Sequence, residues 1–420
     1  MNYSPIKINE GINLHLINTN KFKTNIISVF LTKKLTRENV TKEALIPAVL
    51  RLGTANIKTQ EELNKKLEDM YGADFNCGIE KRGDNHVLKF YIEAIEDEYA
   101  LNGETIQKEA INLLLDIVFN PLVENSSFKK EYVDGEKENL KRIIESKIDN
   151  KSNYAYVRCI EEMYKNEPFG LYEYGYIEDL NNINENNLYE YYEEFINNCK
   201  IDIFVSGNIK EKEIEDIVKS NSNINKLLPR NPEFILDSKQ DVNNIKDQTA
   251  EEKMDVSQGK IVIGMSIKNN IDDAVLNVYN AILGGGANSK LFQNVREKAS
   301  LAYTAGSRYI KSKNNIFIRC GIEIKNYEKT IEIIKEQLED MKKGEFSEDD
   351  IKNAKELLIA SFISIQDEQP REISYYMSQQ LSKDTSDIET ACKKIESVNK
   401  EQIIEAAENI MINTIFFLRN

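Results

Sequence analysis

The stretch AVLNVYNAILGGGANSKLFQNVREKASLAY (274–303) decides the fold, because its outline occurs twice. An apolar, helix-like run ends in glycine, a charged amphipathic segment follows, and a tyrosine closes it. In the first half, ALIPAVLRLG (44–53) runs to Gly53 and EELNKKLEDM leads to Tyr71. Gly53 and Tyr71 stand 18 residues apart, as do Gly285 and Tyr303. Upstream of each copy lies a β-rich run, IISVFL (26–31) and KIVIGMSI (260–267). Downstream comes a two-strand pattern around a polar turn, RGDN in one copy and KSKNN in the other, which is hairpin chemistry. A period of half the chain signals duplication.

The rest of each half follows suit. ETIQKEAINLLLDIVF (104–119) and FKKEYVDGEKENLKRIIESK (128–147) carry apolar residues at helical spacing, as do YEKTIEIIKEQLEDMKKG and FSEDDIKNAKELLIASFISI. Each half closes on a helix and then a strand, ending near 208 and at 420. The polar segment 222–257 reads as a linker. The expected organisation is therefore an α+β domain over 1–221, the linker, and a second α+β domain over 258–420.

Composition excludes several function classes. Mean hydropathy is −0.50 and no apolar run approaches 18 residues, so no spanning helix is expected. The N-terminus has no signal-peptide pattern. A net charge of −15 argues against a nucleic-acid surface. Five scattered cysteines without a CxxC pair fit reduced thiols and a cytoplasmic setting. His15 and His86 are the only histidines, 71 residues apart in strand-like runs, and both read as structural residues. Many of the twenty tyrosines cluster in 154–192, where packing between helices is the ordinary role.

The run GGGANSKLFQNVREKASLAY (284–303) resembles a signature of the M16 (pitrilysin-type) metallopeptidases, whose second domain reads GGGxxSRLFxxxREKxGLAY. Lys290 and Ser300 depart from that pattern, where the family prefers Arg and Gly. The resemblance implies two homologous M16-type (LuxS/MPP-like) α/β sandwich domains in tandem. It also implies substrate-binding roles for Arg296 and Tyr303, seven residues apart, and for the loop at Gly285 and Gly286. Arg and Tyr donors can hold a peptide carbonyl and support charge developing on it.

M16 catalysis requires HxxEH on a helix, two histidines binding zinc and the glutamate acting on the bound water. Aligned on Gly53-Thr54, the three motif positions fall on Ala44, Pro47 and Ala48. None can ligate a metal or move a proton. A proline inside a helix costs about 3 kcal/mol and is tolerated if the helix starts at Pro47, which would put Ala44 outside the first turn. Glu138 and Glu145, seven apart on one helix face, match the downstream acidic pair and are relic candidates for the metal site. The resemblance thus implies a non-catalytic subunit without a metal of its own. Zinc would reside in a catalytic M16 partner, in a heterodimer acting on a peptide or protein substrate. A stand-alone binding scaffold and a metal site built from His86 and glutamates are the alternative expectations, and a homodimer is the alternative assembly.

Overall fold

The run IISVFL forms the middle of a strand buried on both faces, and a sheet grows outward from it. The computed structural model describes residues 3–237, 248–382 and 384–420. The first unit holds strands β1 (Tyr3–Asn9), β2 (Ile12–Asn18), β3 (Thr24–Lys34), β4 (Asp74–Arg82) and β5 (Asn85–Ile95). To these it adds a two-residue ribbon, β6 (Val123–Glu124) with β7 (Ser127–Phe128), and the strand β8 (Lys200–Gly207). Its main sheet has the order β1-β2-β8-β3-β5-β4, antiparallel except for β2 beside β8. Strand alternation separates two cores. Val29, Leu31, Phe90 and Ile203 join the helix Ile106–Phe119 on one side, while Phe30, Val87 and Phe204 face the other.

The second unit repeats this plan with β9 (Gln248–Lys253), β10 (Gly259–Ile267), β11 (Ala302–Ile310), β12 (Asn315–Ile322) and β13 (Ile410–Arg419). Its order is β11-β12-β10-β13-β9. Both expected hairpins form: Gly83 takes a positive φ in the β4–β5 turn, and Asn314 does so between β11 and β12. Ile261, Ile263, Ile316 and Ile318 pack with Leu276, Tyr279 and Leu283 of the helix Asp273–Gly284.

Two boundaries differ from the sequence reading. The segment 222–257 contains a short helix, Ser222–Asn225, and the strand β9, which runs parallel to β13 as β2 runs parallel to β8. β9 therefore belongs to the second repeat. QTAEEK escaped notice because an edge strand with alternating exposure needs little apolar content. The middle of the supposed linker, 238–247, lies outside the described residues.

The second difference is an exchange. Unit 1 comprises Met1–Glu145, Leu171–Leu236 and Asp367–Leu381, and unit 2 the remainder, including Ser146–Gly170. Helix Gln369–Gln379, late in the chain, closes the outer face of the first sheet, setting Ile373, Tyr376 and Met377 against Phe30 and Phe204. Gln369 Nε2 donates to the carbonyls of Thr24 and Ser206, both at 3.1 Å. Helix Lys151–Met163, from the first half, closes the second sheet with Cys159, Ile160 and Met163 against Val262, Phe317 and Phe416. The division at 221 and 258 is thus not how the chain packs. Helical periodicity marks a helix's apolar face but not which sheet it will cover.

Candidate functional site

Helix Val40–Leu50 carries the three positions where the zinc motif would stand. Ala44 and Pro47 are buried and Ala48 is partly buried. The helix does not start at Pro47, the placement in which the sequence would tolerate it. The proline lies inside it, and its carbonyl accepts from Arg51 N at 3.2 Å and from Cys77 Sγ at 3.3 Å. Tertiary packing of Leu45, Ile46 and Val49 in the core outweighs the lost backbone bond. Helix Lys130–Glu145 packs on this helix, yet Glu138 and Glu145 are both exposed.

The histidines are committed elsewhere. His86, on β5, meets Glu43 Oε2 through Nδ1 at 2.7 Å, with both side chains fully buried. The Tyr191 hydroxyl donates to Glu43 Oε1 at 2.6 Å, and burial together with that carboxylate pushes the phenol far above its usual range. His15, on β2, donates Nε2–H to Asp202 Oδ1 on β8 at 2.9 Å and meets the Tyr3 hydroxyl at 2.8 Å through Nδ1. Asn13 and Lys200 also bond to Asp202. Burial alone would raise that carboxyl, but Lys200 and His15 overcome it and lower it to about 2. Among the described residues, no three His, Cys, Asp or Glu side chains cluster as metal ligands. The residues at the motif positions do not fit a zinc ion.

The sequence reading missed Glu43, which stands one residue before Ala44. Its only sequence signal is a single acid inside the apolar run ALIPAVL's approach, VTKEALIPAVL.

The second-half motif forms a wide helical turn. Phe292–Lys298 is π-helical, closed by Ala299 N donating to Asn294 O at 3.3 Å. Such turns are rare and gather at functional positions. Ser300, where the signature carries glycine, sits at φ +52°, a left-handed conformation that explains the family's preference. Arg296 is exposed and stacks its guanidinium over Phe292, 4.5 Å from the ring centre. Tyr303 is 54% exposed and occupies a bulge, since Ala302 and Thr304 pair with the adjacent residues Ile322 and Gly321. Lys290 reaches Asp340 at 3.4 Å.

The glycines differ in what they do. A Cβ on Gly284 would lie 2.5 Å from Ser307 N, so this residue lets the helix end meet β11. One on Gly286 would meet only Leu357, at 3.4 Å, and Gly285 caps the helix.

A protein from Bacillus subtilis (strain 168) described as a probable inactive metalloprotease, YmfF, is 34% identical over 97% of this chain and 96% of its own length. The chain belongs to the M16 peptidase family. The M16 family segment described as "Peptidase M16 inactive domain" matches residues 182–358, which include the signature. The crystal structure of a conserved protein from Enterococcus faecalis V583 superposes with a TM-score of 0.89 at 28% identity, covering 100% of this chain and 99% of that one. A peptidase M16 inactive domain from Pseudomonas fluorescens shares the fold at 17% identity, with a TM-score of 0.78 over 100% of this chain and 98% of that chain. The α+β fold expected from the duplicated pattern is therefore the M16 fold. No helix among the described residues is long and apolar enough to cross a membrane.

Proposed function

We propose that this M16 chain is the non-catalytic subunit of a cytoplasmic heterodimeric peptidase, binding peptide for a partner chain that carries HxxEH and the zinc. The supporting observation is an asymmetry between its two motifs. The metal positions Ala44, Pro47 and Ala48 carry only apolar side chains and both histidines are held by buried carboxylates. Arg296 and Tyr303, in contrast, remain exposed at a π-helical turn and a bulge. The contacts of Arg296 are local, with the Phe292 ring on its own turn and with the neighbouring Glu297 at 3.6 Å.

In this reading Arg296 and Tyr303 hold the peptide backbone, Gly285 and Gly286 border it, and the partner performs the chemistry. The Arg296→Ala variant leaves assembly and unfolding midpoint unchanged, since exposed truncations shift stability by only about 0.5 kcal/mol. It lowers peptide hydrolysis by the assembled complex by about tenfold or more, the scale of losing one charge-assisted hydrogen bond. Capture of the tagged chain from its native cells recovers an equimolar M16 chain bearing HxxEH. Unchanged turnover in the variant would sink the role of Arg296. Recovery of the chain alone would favour a stand-alone peptide-binding scaffold.

A further inference from the structure

Five consecutive residues of β11, Thr304 to Arg308, line one cleft of about 430 Å³. The inner strands β12 and β10 also line it with consecutive residues, Arg319–Gly321 and Lys260–Val262, so the cleft spreads across three neighbouring strands. Among the described residues, β11 is one of the two edge strands of its sheet. The cleft lies wholly within unit 2, and its floor is the face of β10 and β12.

Its chemistry is one-sided. Lys260, Arg308 and Arg319 line it, and no Asp or Glu among the described residues does, in a chain carrying a net charge of −15. Lys260 donates to the neutral amide of Gln258 at 3.0 Å, and Arg319 donates to the carbonyl of Ser152 at 2.8 Å. The Arg319 guanidinium also lies over Tyr156, 4.9 Å from the ring centre. Burial lowers the Lys260 pKa, and burial together with Arg308 lowers that of Arg319. Cations held close without a counter-charge are a standing cost that an anion relieves.

Register adds a cradle. Gly321 stands between Lys260 and Thr304 on neighbouring strands. A Cβ there would sit 3.1 Å from Thr304 Oγ1, 3.4 Å from Lys260 Nζ and 3.8 Å from Gln258 Oε1, so an ammonium, a hydroxyl and an amide oxygen converge above this glycine. Glycine inside a strand commonly marks such a close approach.

We infer that this cleft is an acidic-residue subsite: a peptide held at Tyr303, one residue before Thr304, places a carboxylate among Lys260, Arg308 and Arg319. The cations supply the selectivity for an acidic side chain. The inference rests on the peptide-binding reading above and adds a preference for acidic sequence.

The test is fluorescence anisotropy on the full chain with a short labelled extended peptide containing glutamates, its glutamine isostere, and free glutarate and inorganic phosphate as competitors. The glutamate peptide binds about tenfold tighter than the glutamine one, and the gap narrows as salt rises. Arg319→Gln reduces glutamate-peptide affinity to near that of the isostere without altering isostere binding. Because Arg319 also ties down Ser152 and Tyr156, the exposed Arg308→Gln is the second variant, with circular dichroism confirming that both fold. Equal affinity for the two peptides, unmoved by either variant, overturns the subsite but leaves peptide binding standing. Glutarate or phosphate competing as well as the peptide does makes this a small-anion pocket and overturns the peptide assignment. Failure to bind any peptide overturns both readings.

Discussion

Glu43 and His86 meet from a helix and a strand, 43 positions apart in sequence, and each is fully buried. Truncating one member leaves the other, and Tyr191, with an unmet hydrogen bond in a dry environment. The Glu43→Ala variant therefore loses about 3 kcal/mol of unfolding free energy, read from urea denaturation. Asp202 makes a pH-dependent counterpart. Its folded pKa of about 2 lies below the ordinary 3.8, so its stabilisation is complete above about pH 4 and is lost as pH falls toward 2. The corresponding contribution is about 2 kcal/mol. Asp202→Asn is accordingly less stable than the parent at neutral pH by that order, and the two denaturation midpoints converge by about pH 2. A gap that stayed constant across this range would show that the pairing with Lys200 and His15 contributes nothing. Neither cluster was legible in the sequence. His15 and His86 could be read as structural, but their partners are brought close only by strand register and helix packing, which no local pattern encodes.

At the scale of elements, the glycine run separates folding from binding. Gly284→Ala drives a methyl into Ser307 N and lowers stability by about 1–3 kcal/mol, the usual cost of overpacking. Gly286→Ala meets only the end of Leu357 and leaves thermal stability nearly unchanged. If the two variants melted alike, the seating of helix Asp273–Gly284 against β11 would not be what Gly284 serves. Strands and hairpins were the most legible elements, because IISVFL, KIVIGMSI and the turns RGDN and KSKNN state their structure within a few residues. The helix through Pro47 was less so: its propensity argues for a break, and the core around Leu45, Ile46 and Val49 decides otherwise. The π-helical form of Phe292–Lys298 was unreadable, since its apolar spacing passes for an ordinary helix. Of the candidate site, the loss of HxxEH was plain in the sequence. The exposure of Arg296 and Tyr303 needed the turn and the bulge that present them.

For the whole molecule, the exchanged helices mean that neither half of the sequence is a complete unit. A fragment spanning 1–221 lacks the helix Gln369–Gln379, and Ile17, Phe30, Val87 and Phe204 lose their cover. A fragment spanning 258–420 lacks both β9 and the helix Lys151–Met163 over Val262, Phe317 and Phe416. Each fragment expressed alone aggregates, exposing an apolar sheet face. A cut moved into 238–247, with both pieces co-expressed, gives a soluble complex that sediments with the mass of the whole chain. A soluble, cooperatively melting 1–221 fragment would contradict the exchange.

The same arrangement has a consequence in time. A ribosome that has just completed β8 at Gly207 has made every strand of the first sheet, yet the helix that seals its outer face begins only at Gln369, 162 residues later (369 − 207). At about 5–20 residues per second, the nascent sheet waits roughly ten to thirty seconds with its aromatic face uncovered. During synthesis the protein is therefore a client for whatever shields apolar surfaces near the exit tunnel, and slow codons between Gly207 and Gln369 would lengthen that exposure.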